Sequence, residues 1–378
     1  MSSSGQGRVV ISVLNWNGWQ HTLECLESLR RLDYPNYLTV VVENGSWDGS
    51  AEKIKAWARE NLGPGHLLAE YRRETALKGG EEQIEKALDR TASPAKLVLI
   101  CNEENLGFTG GNNVSISYAL CRPSAADYVL LLNNDAWLEG DCLTQLVSAD
   151  QRADAGMVEA TLKLPTLTEF GPQATGGKIT GGNGSAPNED LRRPVKEAGN
   201  RRMSPTARAP KGDTGDHREA LDSHSDLIPV RFANGGALLV RRDLLEAAKR
   251  FQGSYLDERL FLYQDDYALS LLAGNLGFKP HVARRAVGYH RGRTSTGGDW
   301  GPYQFYYGTR NMFYLADNMP ELERRRFRLF YPVTGIGRVF KYLAKGRYGI
   351  ARAALWGMID AYRGVTGKWR EHDRQAKL

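Results

Sequence analysis

The sequence predicts an α/β protein with a doubly wound sheet, followed by a C-terminal helical appendage. Predicted strands and helices alternate with short links, which is the pattern of a largely parallel sheet covered by helices on both faces. Residues 128–132 form an unbroken apolar run, which indicates a strand buried on both faces. Three successive strands end in polar loops rich in Gly, Asn and Asp. Since ligands bind at the carboxyl edge of such sheets, these loops predict a cleft there.

The first half of the chain supplies these elements in regular order. Thr22 and Ser50 mark two helix starts, because their side chains can cap a first turn. Residues 62–94 are charged and contain several glycines, and we interpret them as a surface excursion with one helix around 81–88. Strands are predicted over residues 8–14, 38–42, 96–101, 128–132 and 157–164, and a further helix over 142–148.

The second half completes a domain that is predicted to span residues 1–317. A strand is predicted over 230–240 with Gly235 and Gly236 inside it, and glycines in a strand often mark a close backbone approach. Helices are predicted over 243–250, from Gln264 onward and over 303–315, and a last strand over 279–290.

Residues 171–226 interrupt this domain. They are rich in Gly, Pro, Ser, Asn and mixed charge and contain almost no large apolar side chains. Such a segment cannot bury enough surface to offset its ordering entropy, so it is predicted to be a disordered insertion or mobile loop. Its position between core strands leaves two interpretations open, an active-site flap and an insertion without a function.

Residues 318–378 are predicted to be a basic amphipathic helical tail. From Glu321 onward the chain has fourteen Lys and Arg against five Asp and Glu, a net charge of +9, whereas the whole chain carries +6. Two helical segments are expected, with breaks near Pro332 and Gly346. The pattern fits helices lying on an anionic bilayer, and it equally fits a helical pair packed on the domain with basic outer faces.

Composition excludes several other classes of protein. The 378 residues are 41% hydrophobic and 25% charged, as in ordinary globular proteins. No run approaches the ~18 apolar residues of a membrane span, and the N-terminus lacks a secretory pattern. The four scattered cysteines (Cys25, Cys101, Cys121 and Cys142) are expected to be buried free thiols. A cytoplasmic protein is therefore expected, with peripheral contact at the inner face of the cell membrane through its tail.

The turn that follows residues 128–132 contains Asn133, Asn134 and Asp135. At the carboxyl end of a rigid strand, Asp135 offers a hard oxygen ligand suited to Mg²⁺ or Mn²⁺ carrying a diphosphate. His290, at the end of the last predicted strand, could supply a second ligand as a neutral imidazole. The alternative is a strand-to-helix turn in which Asn and Asp only satisfy the backbone.

Two further groups could carry chemistry. Asp265 and Asp266 are adjacent at a predicted helix start, where the helix N-terminus stabilises an anion and suits a general base, although they could simply cap the helix. Glu43 or Asp48 could accept from a nucleobase N–H or a ribose hydroxyl, and the glycines of the loop at 107–111 allow close backbone approach to a nucleotide.

Taken together, these residues resemble the family 2 inverting glycosyltransferases of GT-A fold, a Rossmann-like doubly wound mixed sheet, and within them the rhamnosyltransferase-like branch. The resemblance spans about residues 9–311 outside the insertion. It rests on seven segments in the family's order: VVISVLNWNG, VVVENGSWDGS, ENLGFTGGNN, YVLLLNND, FANGGALLVRR, LDERLFLYQDDYAL and YHRGRTSTGG with FYYGTRN.

The resemblance implies a role for each motif. Asp135 matches the family's metal-binding aspartate and His290 a histidine that completes the coordination of Mg²⁺ or Mn²⁺. Asp265 and Asp266 match the acidic pair, with Asp266 as the favoured base. The predicted nucleotide-sugar contacts are Asn15, Glu43, Asp48, Gly107, Gly111, Asn113, Asn133 and Asn134. Two positions depart from the family pattern: Glu43 stands where Asp is usual, which leaves the preferred nucleobase open, and Asp265 stands where Glu is usual.

The resemblance thus implies transfer of a sugar, with dTDP-rhamnose or another nucleotide sugar as donor and a glycan or lipid-linked acceptor in cell-surface polysaccharide synthesis. Three other classes of protein are alternatives to this interpretation. A nucleotide-sugar-binding pseudoenzyme or non-catalytic glycan-assembly partner would keep the cleft without turnover. The presence of the candidate catalytic acids argues against this alternative. A nicotinamide-dependent dehydrogenase would need GxGxxG after the first strand, where Asn15-Trp16-Asn17-Gly18 stands. A nucleic-acid partner is not expected, because the positive charge lies in an amphipathic tail.

Overall fold

The computed structural model describes residues 6–164, 225–291 and 301–370. The strands are β1 (Val9–Asn15), β2 (Tyr37–Asn44), β3 (Leu67–Arg72), β4 (Lys96–Asn102), β5 (Tyr128–Asn133), β6 (Ala136–Leu138), β7 (Met157–Lys163), β8 (Leu227–Pro229), β9 (Ala237–Arg241) and β10 (His281–His290). The helices are α1 (Trp19–Leu29), α2 (Ser50–Asn61), α3 (Arg73–Leu77), α4 (Glu82–Arg90), α5 (Gly107–Cys121), α6 (Cys142–Ala153), α7 (Arg242–Gln252), α8 (Asp265–Asn275), α9 (Pro302–Leu315), α10 (Glu321–Ala344) and α11 (Tyr348–Tyr362).

The strands form one mixed sheet in the order β3-β4-β2-β1-β5-β9-β7-β10-β6, with β8 paired to β10. The five strands from β3 to β5 are parallel, and β9 is antiparallel to both β5 and β7. The sheet therefore confirms the predicted α/β fold class, with a parallel core and a mixed second half. Parallel β1, β2 and β5 bring their carboxyl ends to one edge, because Asn15 pairs with Glu43 and Leu14 with Asn133.

The apolar strands are buried on both faces, as their unbroken runs predict. In β5, Leu130 and Leu132 join the hydrophobic cluster that includes α1 and α6, whereas Val129 and Leu131 join the cluster that includes α5, α7 and α8. Successive side chains of a strand point to opposite faces, so a continuous apolar run supplies both cores. The result is a rigid support for the turn that follows Asn133.

Several sequence predictions need correction. Residues 62–94 contain strand β3 at the sheet edge as well as α3 and α4, because Ala69 and Tyr71 alternate inward and are buried. Of the strand predicted over 230–240, only the last residues are a strand, β9, whereas Gly235 and Gly236 lie in the loop between β8 and β9. Among the cysteines, none forms a disulfide, but Cys121 is exposed rather than buried because it ends helix α5 at the surface.

The C-terminal helices also differ from the prediction. Helix α10 runs from Glu321 to Ala344 without the break expected at Pro332, and the chain bends only at 345–347. Tyr331 and Gly335 are buried on either side of Pro332, so tertiary packing outweighs the lost backbone hydrogen bond, which costs about 3 kcal/mol. The sheet and helices α9–α11 belong to one compact unit. Almost all of the predicted insertion at 171–226 lies outside the described residues.

None of the helices in the described part of the chain is both long and apolar enough to cross a bilayer.

Candidate active site

The turn after β5 brings Asp135 and His290 together. Strand β6 pairs antiparallel with the end of β10, with Ala136 opposite His290, and this register sets His290 beside the turn. Nε2 of His290 lies 2.9 Å from Oδ1 of Asp135 and 3.3 Å from Nδ2 of Asn133. Asp135 is buried and His290 is partly exposed. An oxygen and a nitrogen donor thus converge at the carboxyl edge of the sheet.

The loop before β9 joins this pair to the two acids of α8. The backbone N–H of Asn133 donates to the carbonyl of Gly236 (3.0 Å), and the N–H of Gly235 donates to Oδ2 of Asp266 (3.1 Å). A Cβ on Gly236 would lie 3.8 Å from Nδ1 of His290 and 2.6 Å from Leu162. The backbone of the two glycines therefore connects the Asp135–His290 pair to the Asp265–Asp266 pair. This agrees with the close backbone approach predicted for them.

Asp265 and Asp266 occupy the first turn of α8, where a carboxylate is stabilised by the helix N-terminus. Burial, together with the neighbouring Asp266 charge, raises the pKa of Asp265. Burial also raises the pKa of Asp266, whereas the N–H groups of Tyr267 (2.8 Å) and Gly235 stabilise its carboxylate and oppose that rise. Two adjacent carboxyls with raised pKa values hold a proton more readily than ordinary aspartates, which suits proton acceptance.

The segment before the acidic pair is held in an unusual conformation. Phe261, Tyr263 and Gln264 have positive φ values of 64°, 68° and 66°. Non-glycine residues there cost about 1–2 kcal/mol each, so the surrounding structure must hold them. The side chain that does so belongs to helix α9: Nδ2 of Asn311 lies 2.8–3.0 Å from the carbonyl oxygens of Leu260, Leu262 and Tyr263.

Arg310, the neighbouring residue on α9, also holds this segment, and the two side chains are called here the Arg310–Asn311 clamp. Its guanidinium is fully buried and donates to the carbonyls of Arg259 (2.9 Å) and Leu260 (2.8 Å), while its Nε donates to Asn311 Oδ1 (3.0 Å). The rings of Tyr306 and Tyr307 lie within 5.4 Å of the guanidinium. The helix predicted over residues 303–315 therefore positions the residues that precede the two acids.

A chain of hydrogen bonds extends from the NND turn to the ends of β1 and β2. Nδ2 of Asn134 donates to the Thr22 hydroxyl (3.1 Å), which donates to Oδ1 of Asn15 (2.7 Å). Asn15 then donates to Ser46 Oγ (3.3 Å), and the N–H of Ser46 donates to Glu43 (2.8 Å). Predicted site residues that are more than a hundred positions apart thus belong to one polar network.

The remaining predicted contacts are placed differently. Asp48 is exposed, and its carboxylate accepts from the backbone N–H and hydroxyl of Ser50 at the start of α2. Asn113 is buried, where it donates to the carbonyl of Leu256 (2.9 Å) and the carboxylate of Glu258 (2.8 Å). Both residues support loops around the site, and their contact with a nucleotide stays a prediction.

Gly107 and Gly111 make room for protein atoms. At Gly107, where φ is +75°, a Cβ would stand 2.3 Å from the carbonyl oxygen of Phe261. A Cβ at Gly111 would stand 2.5 Å from Leu14 and 3.2 Å from Nδ2 of Asn44. The first glycine lets α5 meet the strained segment before the acidic pair, and the second lets α5 pack on the sheet. Their approach to a nucleotide stays a prediction.

The donor set at Asp135 and His290 determines which cation could fit. Within residues 6–164, 225–291 and 301–370, no cluster of three or more His, Cys, Asp and Glu side chains is arranged to hold a metal. Asp135 and His290 alone fit a cation that takes its other ligands from diphosphate oxygens and water, as Mg²⁺ does at nucleotide sites. A cage made entirely of protein ligands is not what these residues offer.

Sequence reasoning missed two groups at this edge. Glu159 of β7 lies 2.8 Å from the N–H and 2.7 Å from Nδ2 of Asn234, next to Gly235, and burial raises its pKa. In the sequence Glu159 stands between Val158 and Ala160, and a single acid in a strand has no spacing that marks it as a site residue. Trp16 and Trp47 lie edge to face with ring centroids 5.5 Å apart, and Trp47 is 77% exposed. Their separation in the sequence concealed that pair.

A cavity of about 380 Å³ lies beside the middle and end of α8, lined by residues that include Ser270, Phe278 and Asn318. None of the predicted site residues lines it. The convergence at the carboxyl edge of the sheet, and not this cavity, therefore defines the candidate active site.

No protein-family model and no curated protein sequence matches this chain. Solved structures do match it. The mannosyltransferase PcManGT from Pyrobaculum calidifontis, in complex with GDP-Man and Mn²⁺, matches with a TM-score of 0.51 and 13% identity over 94% of this chain and 87% of that chain. S. aureus TarS 1-349 matches with a TM-score of 0.47 and 14% identity over 98% and 92%, including its complex with UDP-GlcNAc. With the mixed sheet described above, the likeness to PcManGT shows a GT-A fold.

Proposed function

We propose that this chain is an inverting, metal-dependent glycosyltransferase that moves a sugar from a nucleotide-diphosphate sugar to an acceptor hydroxyl. One observation carries the proposal: Gly235 and Gly236 link the acidic pair on α8 to the Asp135–His290 pair at the carboxyl edge of the sheet. A proton acceptor and a cation-type donor pair are the two groups that such a transfer needs. The GT-A fold shared with a mannosyltransferase that binds GDP-Man and Mn²⁺ supports the same activity.

The chemical step follows from these positions. Asp266 accepts the proton of the acceptor hydroxyl, and the oxygen attacks the anomeric carbon on the side opposite the diphosphate. A C–O bond to the acceptor forms as the bond to the diphosphate breaks, the configuration inverts, and the electron pair leaves with the nucleoside diphosphate. Backbone N–H groups of Gly235 and Tyr267 hold Asp266 in place. Asp265 beside it raises the proton affinity of the pair.

The donor diphosphate would lie against Asp135 and His290. Asp135 and His290 would hold a divalent cation, Mg²⁺ or Mn²⁺, which would neutralise, as a Lewis acid, the charge that develops on the leaving group. Asn133 and Asn134 flank the position and tie it to the polar network that reaches Asn15 and Glu43. The nucleoside of the donor is assigned to that network.

The finer assignments rest on the sequence resemblance. Rhamnose is the donor sugar that the rhamnosyltransferase-like branch suggests. Glu43 in place of the usual Asp gives the carboxylate one more methylene, so its contact with the nucleobase is displaced. The acceptor is proposed to be a glycan or lipid-linked hydroxyl at the cytoplasmic face of the membrane, where the basic region after Glu321 would help to retain the protein.

A thermal-shift screen of dTDP-rhamnose, UDP-GlcNAc and GDP-mannose, each with Mn²⁺, identifies the donor first. With that donor, Asp266→Asn should lower turnover about 100-fold or more, which is the usual contribution of a general base. Calorimetric donor affinity should stay within about twofold of the native value, because the donor diphosphate is assigned to Asp135 and His290.

The matched control is Asp243→Asn, which also removes an aspartate from the first turn of a helix, α7, and whose carboxylate pairs with Arg241 and not with a predicted site residue. Normal turnover of Asp266→Asn would refute the base assignment. Donor binding without turnover by the native chain would favour the nucleotide-sugar-binding pseudoenzyme instead.

A further inference from the structure

Helix α10 carries a row of apolar side chains that face away from the rest of the protein. The row recurs at spacings of three, four and seven residues, which places its members on one face of a helix with 3.6 residues per turn. Its most exposed members are Leu329 (71%), Val333 (67%) and Phe340 (66%). The row, called here the α10 stripe, comprises Leu322, Leu329, Val333, Ile336, Phe340 and Leu343.

The opposite face of the helix is the one that packs. Tyr331 and Gly335 are buried there, and a Cβ on Gly335 would lie 2.8 Å from the sulfur of Met358 in α11. The Tyr331 hydroxyl donates to the Thr309 carbonyl of α9 (2.6 Å). At 100° per residue, Phe340 lies half a turn away from Tyr331, so packing on α9 and α11 leaves the stripe outward. The stripe is about 32 Å long at 1.5 Å per residue.

The charges around the stripe determine what can cover it. Residues 321–347 contain eight Lys and Arg and two Glu, a net charge of +6. Arg325 and Arg326 lie at the sides of the stripe near its start, and Lys341 and Lys345 lie near its end, all exposed. An apolar row with basic margins matches the interface of an anionic bilayer, where acyl chains take the apolar side chains and headgroups take the cations.

We infer that the α10 stripe is a docking surface for an anionic lipid bilayer, with α10 lying in the plane of the interface. A second copy of this chain is the other candidate occupant. Two such helices would bring two sets of basic margin residues, such as Arg326 and Lys341, together across one seam, and like charges at a contact oppose association. The bilayer supplies negative charge and apolar depth at once, so the observations favour it.

This inference deepens the proposed membrane-side acceptor, and it rests on the proposed function only for its purpose. Helix α9, on which α10 packs, also carries the Arg310–Asn311 clamp of the acidic pair. Docking through α10 would therefore hold the candidate active site at a fixed position relative to the bilayer surface.

The test is flotation of the full chain with vesicles of phosphatidylcholine alone or with added phosphatidylglycerol. The native chain should bind the anionic vesicles, with an affinity that falls as salt rises. The triple variant Leu329→Ser/Val333→Ser/Phe340→Ser should lose about tenfold or more of that partition. Replacing Arg326, Lys341 and Lys345 by Glu should abolish the preference for phosphatidylglycerol.

The matched control for Phe340→Ser is Phe251→Ser on α7, because both phenylalanines are similarly exposed, at 66% and 62%. Only the α10 variant should reduce binding, and circular dichroism should show that both are folded. Equal binding by native and triple-variant chains would overturn the inference. So would native chains that ignore anionic vesicles but change from dimer to monomer in the triple variant.

Donor turnover in solution is measured on the same native preparation. A native chain that binds vesicles but does not consume the donor would refute the proposed function and support the docking surface. A native chain that turns over the donor but ignores vesicles would do the opposite.

Discussion

Asn311 offers a direct test of how the strained segment positions the acidic pair. Its amide lies 2.8–3.0 Å from three backbone carbonyl oxygens, those of Leu260, Leu262 and Tyr263. One amide has two N–H groups, so Asn311→Ala removes about two full hydrogen bonds to these carbonyls, together with the bond that Oδ1 accepts from Arg310 Nε (3.0 Å). A buried carbonyl left unsatisfied costs about 1–3 kcal/mol, so the two donated bonds contribute on the order of 2–6 kcal/mol.

The backbone strain that these hydrogen bonds offset is of similar size. Phe261, Tyr263 and Gln264 with positive φ cost about 1–2 kcal/mol each, or roughly 3–6 kcal/mol together. Without the clamp, relaxation of this segment becomes favourable, and the adjoining acids move from their position against Gly235. Because each 1.4 kcal/mol of lost transition-state stabilisation lowers the rate tenfold, kcat should fall by about tenfold to 100-fold.

The assay compares kcat with the calorimetric donor affinity and the melting temperature. For Asn311→Ala, kcat should fall and the donor affinity should change less than about threefold, because the donor diphosphate is assigned to Asp135 and His290, which lie on other elements. Asn311→Asp keeps the size but turns a carboxylate toward the carbonyls, so it should be no better.

The control is Tyr331→Phe, which removes the hydrogen bond from Tyr331 of α10 to the Thr309 carbonyl of α9, the helix that carries Asn311. It should lower the melting temperature without lowering kcat. If Asn311→Ala loses stability but keeps native kcat, the segment does not need the clamp and the reasoning is wrong.

Two further predictions concern backbone and charge near the acids. Gly107→Ala should destabilise the fold by about 1–3 kcal/mol in thermal unfolding, because φ is +75° and the new Cβ would meet the Phe261 carbonyl at 2.3 Å; Gly274→Ala, with open space in α8, should not. Asp265 has a folded pKa raised to about 8, above its unfolded value, so the folded state holds a proton that the unfolded state releases. Its contribution to stability is therefore present at low pH and lost as pH rises toward 8, and Asp265→Asn should gain stability relative to the native chain between pH 5 and pH 8. Parallel pH profiles of melting temperature for the two proteins would contradict this assignment.

The parts of the fold that the sequence predicts are those whose signal is local. The run at 128–132 forms β5, and Asp265 and Asp266 open a helix, because burial on both faces and helix starts leave a mark within a few residues. The break expected at Pro332 was wrong, since the packing of Tyr331 and Gly335 on distant helices decides whether that helix continues.

The candidate site follows the same division. Asp135 and His290 were assigned to a common position, and the structure places them 2.9 Å apart through the pairing of β6 with β10. No sequence pattern indicated that Asn311 holds the segment before Asp265, because the contact joins positions about fifty residues apart. Glu159 was missed because a single acid in a strand has no spacing that marks it.

The last residues of the described chain close over the clamp. The N–H of Gly367 donates to the Arg259 carbonyl (3.1 Å), the Gly367 carbonyl accepts from Arg310, and the ring of Trp369 stacks on Tyr306 at 4.3 Å. A truncated protein that ends before these positions would expose the guanidinium of Arg310 to water. The segment that positions Asp266 would then lose part of its support. Anchoring and turnover therefore cannot be dissected by deletion, and only surface substitutions will separate them.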